Sequence, residues 1–137
     1  MYVDATIKPR WCETDANGHI TNTVPPVWFE EGRATLYQAS GVPATFLVVR
    51  LTLEYLVELR FGHPVTIRTG IGRIGNKSVT LVQEAWQKNR LCSRAEVVQC
   101  CWDKQTRASR AIPEDLRDRL SCCQVEFDAE GRIVTVA

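Results

Sequence analysis

The chain has 137 residues, 17 lysines and arginines against 16 aspartates and glutamates, and 45% hydrophobic residues, the make-up of a single globular domain with a net charge of +1. This balance leaves no basic footprint for nucleic acid, and no run approaches the ~20 apolar residues that a membrane-spanning helix needs. The opening Met1-Tyr2-Val3-Asp4 has no basic segment followed by an apolar one, so the cytoplasm is the expected compartment.

Val3, Ala5 and Ile7 alternate, which suits a first strand running toward Cys12 with Pro9 near its outgoing end. The loop Glu13-Thr14-Asp15-Ala16-Asn17-Gly18-His19-Ile20-Thr21-Asn22 follows, and it gathers a carboxylate, an imidazole, a carboxamide and a glycine turn within ten residues. Phe29, Gly32, Leu36 and Ala39 then recur at helical spacing, with Gly41 as a stop, and the helix is predicted to begin at Pro26. Its unpaired first-turn N–H groups would point toward the loop. Gly32 inside it costs about 1 kcal/mol relative to alanine, a cost explained by close approach to a flat sheet.

Residues 47–59 read as the clearest strand, with Val49, Leu51, Leu53, Tyr55, Val57 and Leu59 on one face. The turn Arg60-Phe61-Gly62-His63-Pro64 leads to strands over 65–74, 78–87 and 91–102, punctuated by Gly75-Asn76 and Asn89-Arg90. With no helical pattern between them, these segments predict an antiparallel meander. Residues 112–120 read as a short surface helix, and 125–127 with 133–136 as a small hairpin around the turn at 128–131. One strand, one long helix and a run of strands is an α+β plan with the helix on one face of the sheet. Cys12, Cys92, Cys100, Cys101, Cys122 and Cys123 have no CxxC spacing, so neither a metal site nor a disulfide is expected, and nothing suggests NAD or ATP chemistry.

The Thr14-Asp15-x-x-Gly18-His19-x-x-Asn22 core, the Phe29-Glu30-Glu31-x-Arg33 stretch, Tyr55, Phe61-Gly62-His63-Pro64-Val65, Gly75-x-x-Ser78 and Ile112-Pro113-Glu114 together resemble the 4-hydroxybenzoyl-CoA thioesterase-like branch of the hotdog-fold acyl-CoA thioesterases. The likeness spans roughly residues 3–120. It implies a single hotdog domain over residues 1–137, with a curved antiparallel β-sheet wrapped around one long central α-helix. It further implies a homodimer or homotetramer whose acyl-thioester site lies at a subunit interface, with Asp15 directed at the thioester. The chain departs from the family at Pro25-Pro26, where an aromatic and an aliphatic residue are usual; two prolines remove two backbone donors and an aromatic wall.

Thioester hydrolysis needs a nucleophile or an activated water, and donors where negative charge develops on the carbonyl oxygen. The Asp15 carboxylate can attack the carbonyl or act as a general base, and as a loop residue it can also serve as a cap. The N–H of Gly18 or His19 is a candidate oxyanion donor. The His19 ring can donate to the carbonyl or hold Asp15, and Asn22 can hold water or the carbonyl, or cap the helix, a task for which Thr23 is also available. Glu30 and Glu31 complement the helix dipole, Glu30 in reach of Arg33, while the resemblance gives Glu31 a substrate-facing place. Ser78 opens a strand at a matching family position, and His63 belongs to a turn. Arg73, Lys77, Arg107 and Arg110 are candidates for the CoA phosphates. The expected activity is hydrolysis of an acyl-CoA or acyl carrier protein thioester. Hydration or dehydration of an acyl thioester on the same fold, and acyl-thioester binding without turnover, are the alternatives.

Overall fold

In the computed structural model, which describes residues 1–134, the elements run β1 (Val3–Ile7), a 3-10 turn (Trp11–Glu13), α1 (Pro25–Ser40), β2 (Phe46–Tyr55), β3 (Val65–Ile74), β4 (Ser78–Gln87), β5 (Arg90–Asp103), β6 (Ala108–Ser109), α2 (Glu114–Ser121), β7 (Glu126–Phe127) and β8 (Ile133–Val134). Strands β3 and β4 match the predicted spans, and the helix starts one residue earlier than predicted, at Pro25. The first strand stops at Ile7 because the chain turns into the 3-10 segment that takes up Cys12. Thr135 and Val136 of the expected hairpin lie outside the described residues.

The main sheet is antiparallel with order β1-β3-β4-β5-β2 and β6 paired to β5, so the predicted meander holds for β3, β4 and β5 only. Strand β2 lies beside β5 at the far edge, not beside β3. It also ends at Tyr55, earlier than predicted, because the N–H groups of Leu56 and Val57 both donate to the Cys92 carbonyl and turn the chain out of the ladder. Gln87 then carries the connection across the end of the sheet: its carboxamide donates to the carbonyls of Arg60 (2.8 Å) and His63 (3.0 Å) and accepts from the Arg60 N–H (2.9 Å).

Helix α1 packs on β1, β3 and β4, burying Phe29 and Leu36 against Ile67, Ile71 and Leu81. Each such side chain contributes about 1.5–3 kcal/mol on leaving water. Gly32 makes this approach feasible: a Cβ there would stand 2.5 Å from Ile67 Cγ2 and 2.7 Å from Thr69 Oγ1. Buried Gln83 ties the two layers, donating to the Phe29 carbonyl (2.7 Å) and Thr69 Oγ1 (2.9 Å) while accepting from Arg33 Nη1 (3.1 Å). On the other face, the chain after α2 crosses the sheet, with Val125 seated on Gly70 and the Ile133 N–H donating to the buried Glu84 carboxylate (2.8 Å). A helix laid against an antiparallel sheet in this order is the hotdog arrangement.

Candidate active site

The loop over residues 13–21 is a small closed hairpin. Thr14 bridges Ile20, the Asp15 N–H donates to the His19 carbonyl (2.8 Å), and the Thr21 N–H donates to the Glu13 carbonyl (2.9 Å). Gly18, at φ +76°, supplies the left-handed residue that closes it. No atom lies within 4 Å of where its Cβ would be, so the glycine is required by conformation and not by a neighbour. The loop is held from two sides. Ile20 donates to the Leu59 carbonyl (2.8 Å), and buried Glu13 accepts from the Arg10 N–H (2.7 Å) and from the Trp28 indole on α1 (3.0 Å). Burial alone would raise the Glu13 carboxyl, but these two hydrogen bonds and the Arg10 guanidinium bring it below the ordinary glutamate range.

Within this frame Asp15 Oδ1 accepts from the N–H groups of Asn17 (2.8 Å) and His19 (3.1 Å), which fixes the carboxylate and leaves Oδ2 without a protein hydrogen bond among the described residues. Asp15, His19 and Asn22 line one open cleft of about 200 Å³ together with Pro25, Tyr55 and Glu58. The His19 ring is held by Glu58, Nε2 to Oε2 at 2.9 Å, while Asp15 engages only the His19 backbone N–H. Arg60, bonded to Glu58, keeps that carboxyl below its usual range, and His19 adds to the effect. The Tyr55 hydroxyl donates to the Asn22 carbonyl, tying together two residues of the cleft lining.

Two backbone sources of oxyanion donors are absent or already engaged within this chain. The N-terminus of α1 offers none in its first turn: Pro25 and Pro26 have no N–H, and those of Val24 and Val27 are bonded to Thr21 and Val24 carbonyls. The N–H of Gly18 donates to the Asp15 carbonyl at 3.3 Å, and that of His19 to the Asp15 side chain. Asn22 lines the cleft, and its carboxamide has no hydrogen-bond partner among the described residues. Val24, with no side-chain cap bond, is the helix N-cap, so neither Asn22 nor Thr23 takes the capping role.

Arg73, Lys77, Arg107 and Arg110 are exposed and gather with half-buried Ser78 where β3 turns into β4 and β5 ends. That is the opposite end of the sheet from the Asp15 loop, which sits beside Leu59 and Arg60 before β3 begins; ten residues of strand separate the two, roughly 30 Å. Within one chain the structure therefore does not unite these residues with Asp15. Glu31 is exposed on α1 outside the cleft lining. Sequence reasoning missed Glu58, whose only signal was an acid four residues after Glu54 at the end of a strand, and Gln87, which looked like any strand-end glutamine. All six cysteines are free thiols.

Comparison with known proteins bears on this geometry. The model of the thioesterase-like superfamily matches residues 9–120. A predicted thioesterase from Bacillus stearothermophilus superimposes with a TM-score of 0.85 at 32% identity, over 90% of this chain and 97% of its own. The hypothetical protein SAV2348 from Staphylococcus aureus, in complex with CoA, gives 0.83 at 18% identity over 100% and 96% of the two chains. A mutant 4-hydroxybenzoyl-CoA thioesterase complexed with 4-hydroxybenzoyl-CoA gives 0.79 at 14% over 87% and 98%. The latter two likenesses show the fold. No curated protein matches.

Proposed function

The chain belongs to the thioesterase-like superfamily, and from that premise we propose that it hydrolyses an acyl-CoA thioester, with Asp15 as the catalytic carboxylate of a site completed by a second copy of the chain. The observation that carries the reading is the fixed Asp15 carboxylate, one oxygen held by two loop amides and the other free, in a cleft that also holds Asn22 and His19. In the general-base route, Asp15 takes a proton from water as the water oxygen adds to the carbonyl carbon; the carbon–sulfur bond breaks and the thiolate leaves with a proton. In the nucleophilic route, the carboxylate itself adds, and water then hydrolyses the acyl anhydride. The two amide bonds to Oδ1 weaken the carboxylate as a base and as a nucleophile alike, and leave Oδ2 for either route. Asn22, a lining residue whose carboxamide has no hydrogen-bond partner among the described residues, is the donor assigned to the developing negative charge.

Exposure of Asp15 in the single chain supports the need for a partner, since electrostatic catalysis gains strength when water is excluded. A two-fold pairing of β2 edges runs the two sheets in opposite directions. It would bring one copy's Arg73, Lys77, Arg107 and Arg110 to the end where the other copy's Asp15 lies, in position for CoA phosphates. A CoA complex and a 4-hydroxybenzoyl-CoA complex among proteins of this fold support the substrate class. A carrier-protein thioester presents the same pantetheine arm without the nucleotide.

Thiol release from short, long and aromatic acyl-CoAs, with acyl-pantetheine alongside, tests the proposal: release from at least one member is expected. The missing donors at the Pro25-Pro26 helix start favour acyl-thioester binding without turnover as the second reading, and binding of CoA esters with no thiol released from any would establish it. A change in acyl absorbance without thiol would instead indicate hydration or dehydration.

A further inference from the structure

Glu58 is the second carboxylate of the Asp15 cleft, carried on the connection between Tyr55 at the end of β2 and Val65 at the start of β3. Its two oxygens have separate partners. Oε1 accepts from Arg60 Nε (2.9 Å) and Nη2, and Oε2 accepts from His19 Nε2 (2.9 Å). Arg60 is fixed in turn, because its backbone N–H and carbonyl both bond to the Gln87 carboxamide and its backbone pairs with that of His19. His19 then joins this series to Asp15. Its backbone N–H donates to Asp15 Oδ1 (3.1 Å), and its carbonyl accepts from the Asp15 N–H (2.8 Å). Asp15, Ala16, Asn17 and Gly18 are exposed, so the loop tip has little packing to fix it, and hydrogen bonds set the place of the carboxylate.

We propose that Glu58 is a positioning residue for the reaction: it holds the His19 ring in place, so that the His19 backbone holds the Asp15 carboxylate at the thioester carbonyl. The inference rests on Asp15 as the catalytic carboxylate and adds the residue that sets where it stands. The order of action is Gln87 on Arg60, Arg60 on Glu58, Glu58 on the His19 ring, and the His19 backbone on Asp15.

The chemistry of the pair assigns the ring a placing role and not a donating one. Arg60, and to a smaller extent His19, hold the Glu58 carboxyl below the usual glutamate range, although the neighbouring Asp15 charge raises it. An ionised carboxylate only accepts hydrogen bonds, so the bonded Nε2 carries the proton. The neutral ring then has no N–H left for a carbonyl oxygen. Stability is not what the trio supplies either. The side chains of His19, Glu58 and Arg60 are 33%, 42% and 59% exposed, and ion pairs so open to water add little to the fold. Position is a different matter, because a displacement of about 1 Å at a reacting group can cost about 10²-fold in rate. Loss of Glu58 therefore leaves a folded protein whose Asp15 is less well placed.

The test is a cycle of Glu58→Ala, His19→Ala and the double variant, with kcat and KM for thiol release measured separately. Each single change should lower kcat about 10-fold with KM altered no more than about twofold, and the double variant should lose no more than His19→Ala alone. Glu58→Gln keeps the length and a group that bonds to the ring, so its kcat should return to within about threefold of the native value. Hydrogen exchange of the His19 backbone N–H reads the same effect without turnover. Glu58→Ala should speed that exchange at least about 5-fold while the amides of β3 and β4 keep their native rates. Losses that multiply in the double variant would make Glu58 act independently of His19 and overturn the proposal. A Glu58→Gln protein as slow as Glu58→Ala, or His19 exchange unchanged by Glu58→Ala, would overturn it as well. If the native protein releases thiol from no acyl-CoA, hydrolysis fails, and the exchange measurement by itself decides whether Glu58 places the loop.

Discussion

Replacing Asp15 with asparagine separates chemistry from architecture. The asparagine side-chain oxygen can still accept from the N–H groups of Asn17 and His19, so the closed loop keeps both bonds, which weaken because the acceptor is no longer charged. Since Asp15 is exposed, that weakening costs stability about 1 kcal/mol or less. What is lost is a group that can take water's proton or attack the carbonyl. General-base catalysis is worth about 10²- to 10⁴-fold, so turnover should fall at least ~100-fold, a barrier increase of about 2.7 kcal/mol, and further if the carboxylate is the nucleophile. The assay is thiol release with the best acyl-CoA of the panel, with KM followed separately and the fold checked by circular dichroism. His19→Ala should lose less, since its ring is tied to Glu58 and not to the carboxylate. A folded Asp15→Asn protein that releases thiol within about threefold of the native rate would refute the mechanism.

Gly32→Ala should destabilise the fold by about 1–3 kcal/mol in urea unfolding despite alanine's better helix propensity, because the new methyl would sit 2.5 Å from Ile67 Cγ2 and 2.7 Å from Thr69 Oγ1. Glu13 has a folded-state carboxyl held below its unfolded value, so its stabilisation is complete above about pH 4.3 and is lost as pH falls through the lower folded value. Native and Glu13→Gln stabilities should therefore differ at neutral pH and converge in acid; parallel curves down to pH 3 would contradict this. KM for acyl-CoA should rise with salt more steeply than KM for acyl-pantetheine, and Arg107→Ala with Arg110→Ala should narrow the difference. Equal salt response of the two substrates would remove these arginines from nucleotide binding.

The elements were largely legible in the sequence, because period-two alternation and helical spacing are local signals: β3, β4 and α1 fall within a residue of where the pattern puts them. Gly32 was legible too, since a glycine in a helix interior carries a cost that only a close neighbour explains. Motif residues Asp15, His19 and Asn22 could be named as a group because they lie on one short loop that closes on itself. Pairing was not legible. Residues 47–59 have the same alternation whether they neighbour β3 or β5, and only the hydrogen bonds of Leu56 and Val57 to Cys92, with the Gln87 staple, send β2 to the open edge. For the same reason Glu58 became a partner of His19 only in three dimensions, 39 positions away in the chain. Local periodicity determines what each segment is, because side-chain direction repeats with the backbone; which segments meet is decided by long-range contacts whose partners leave no mark on their own stretch of sequence.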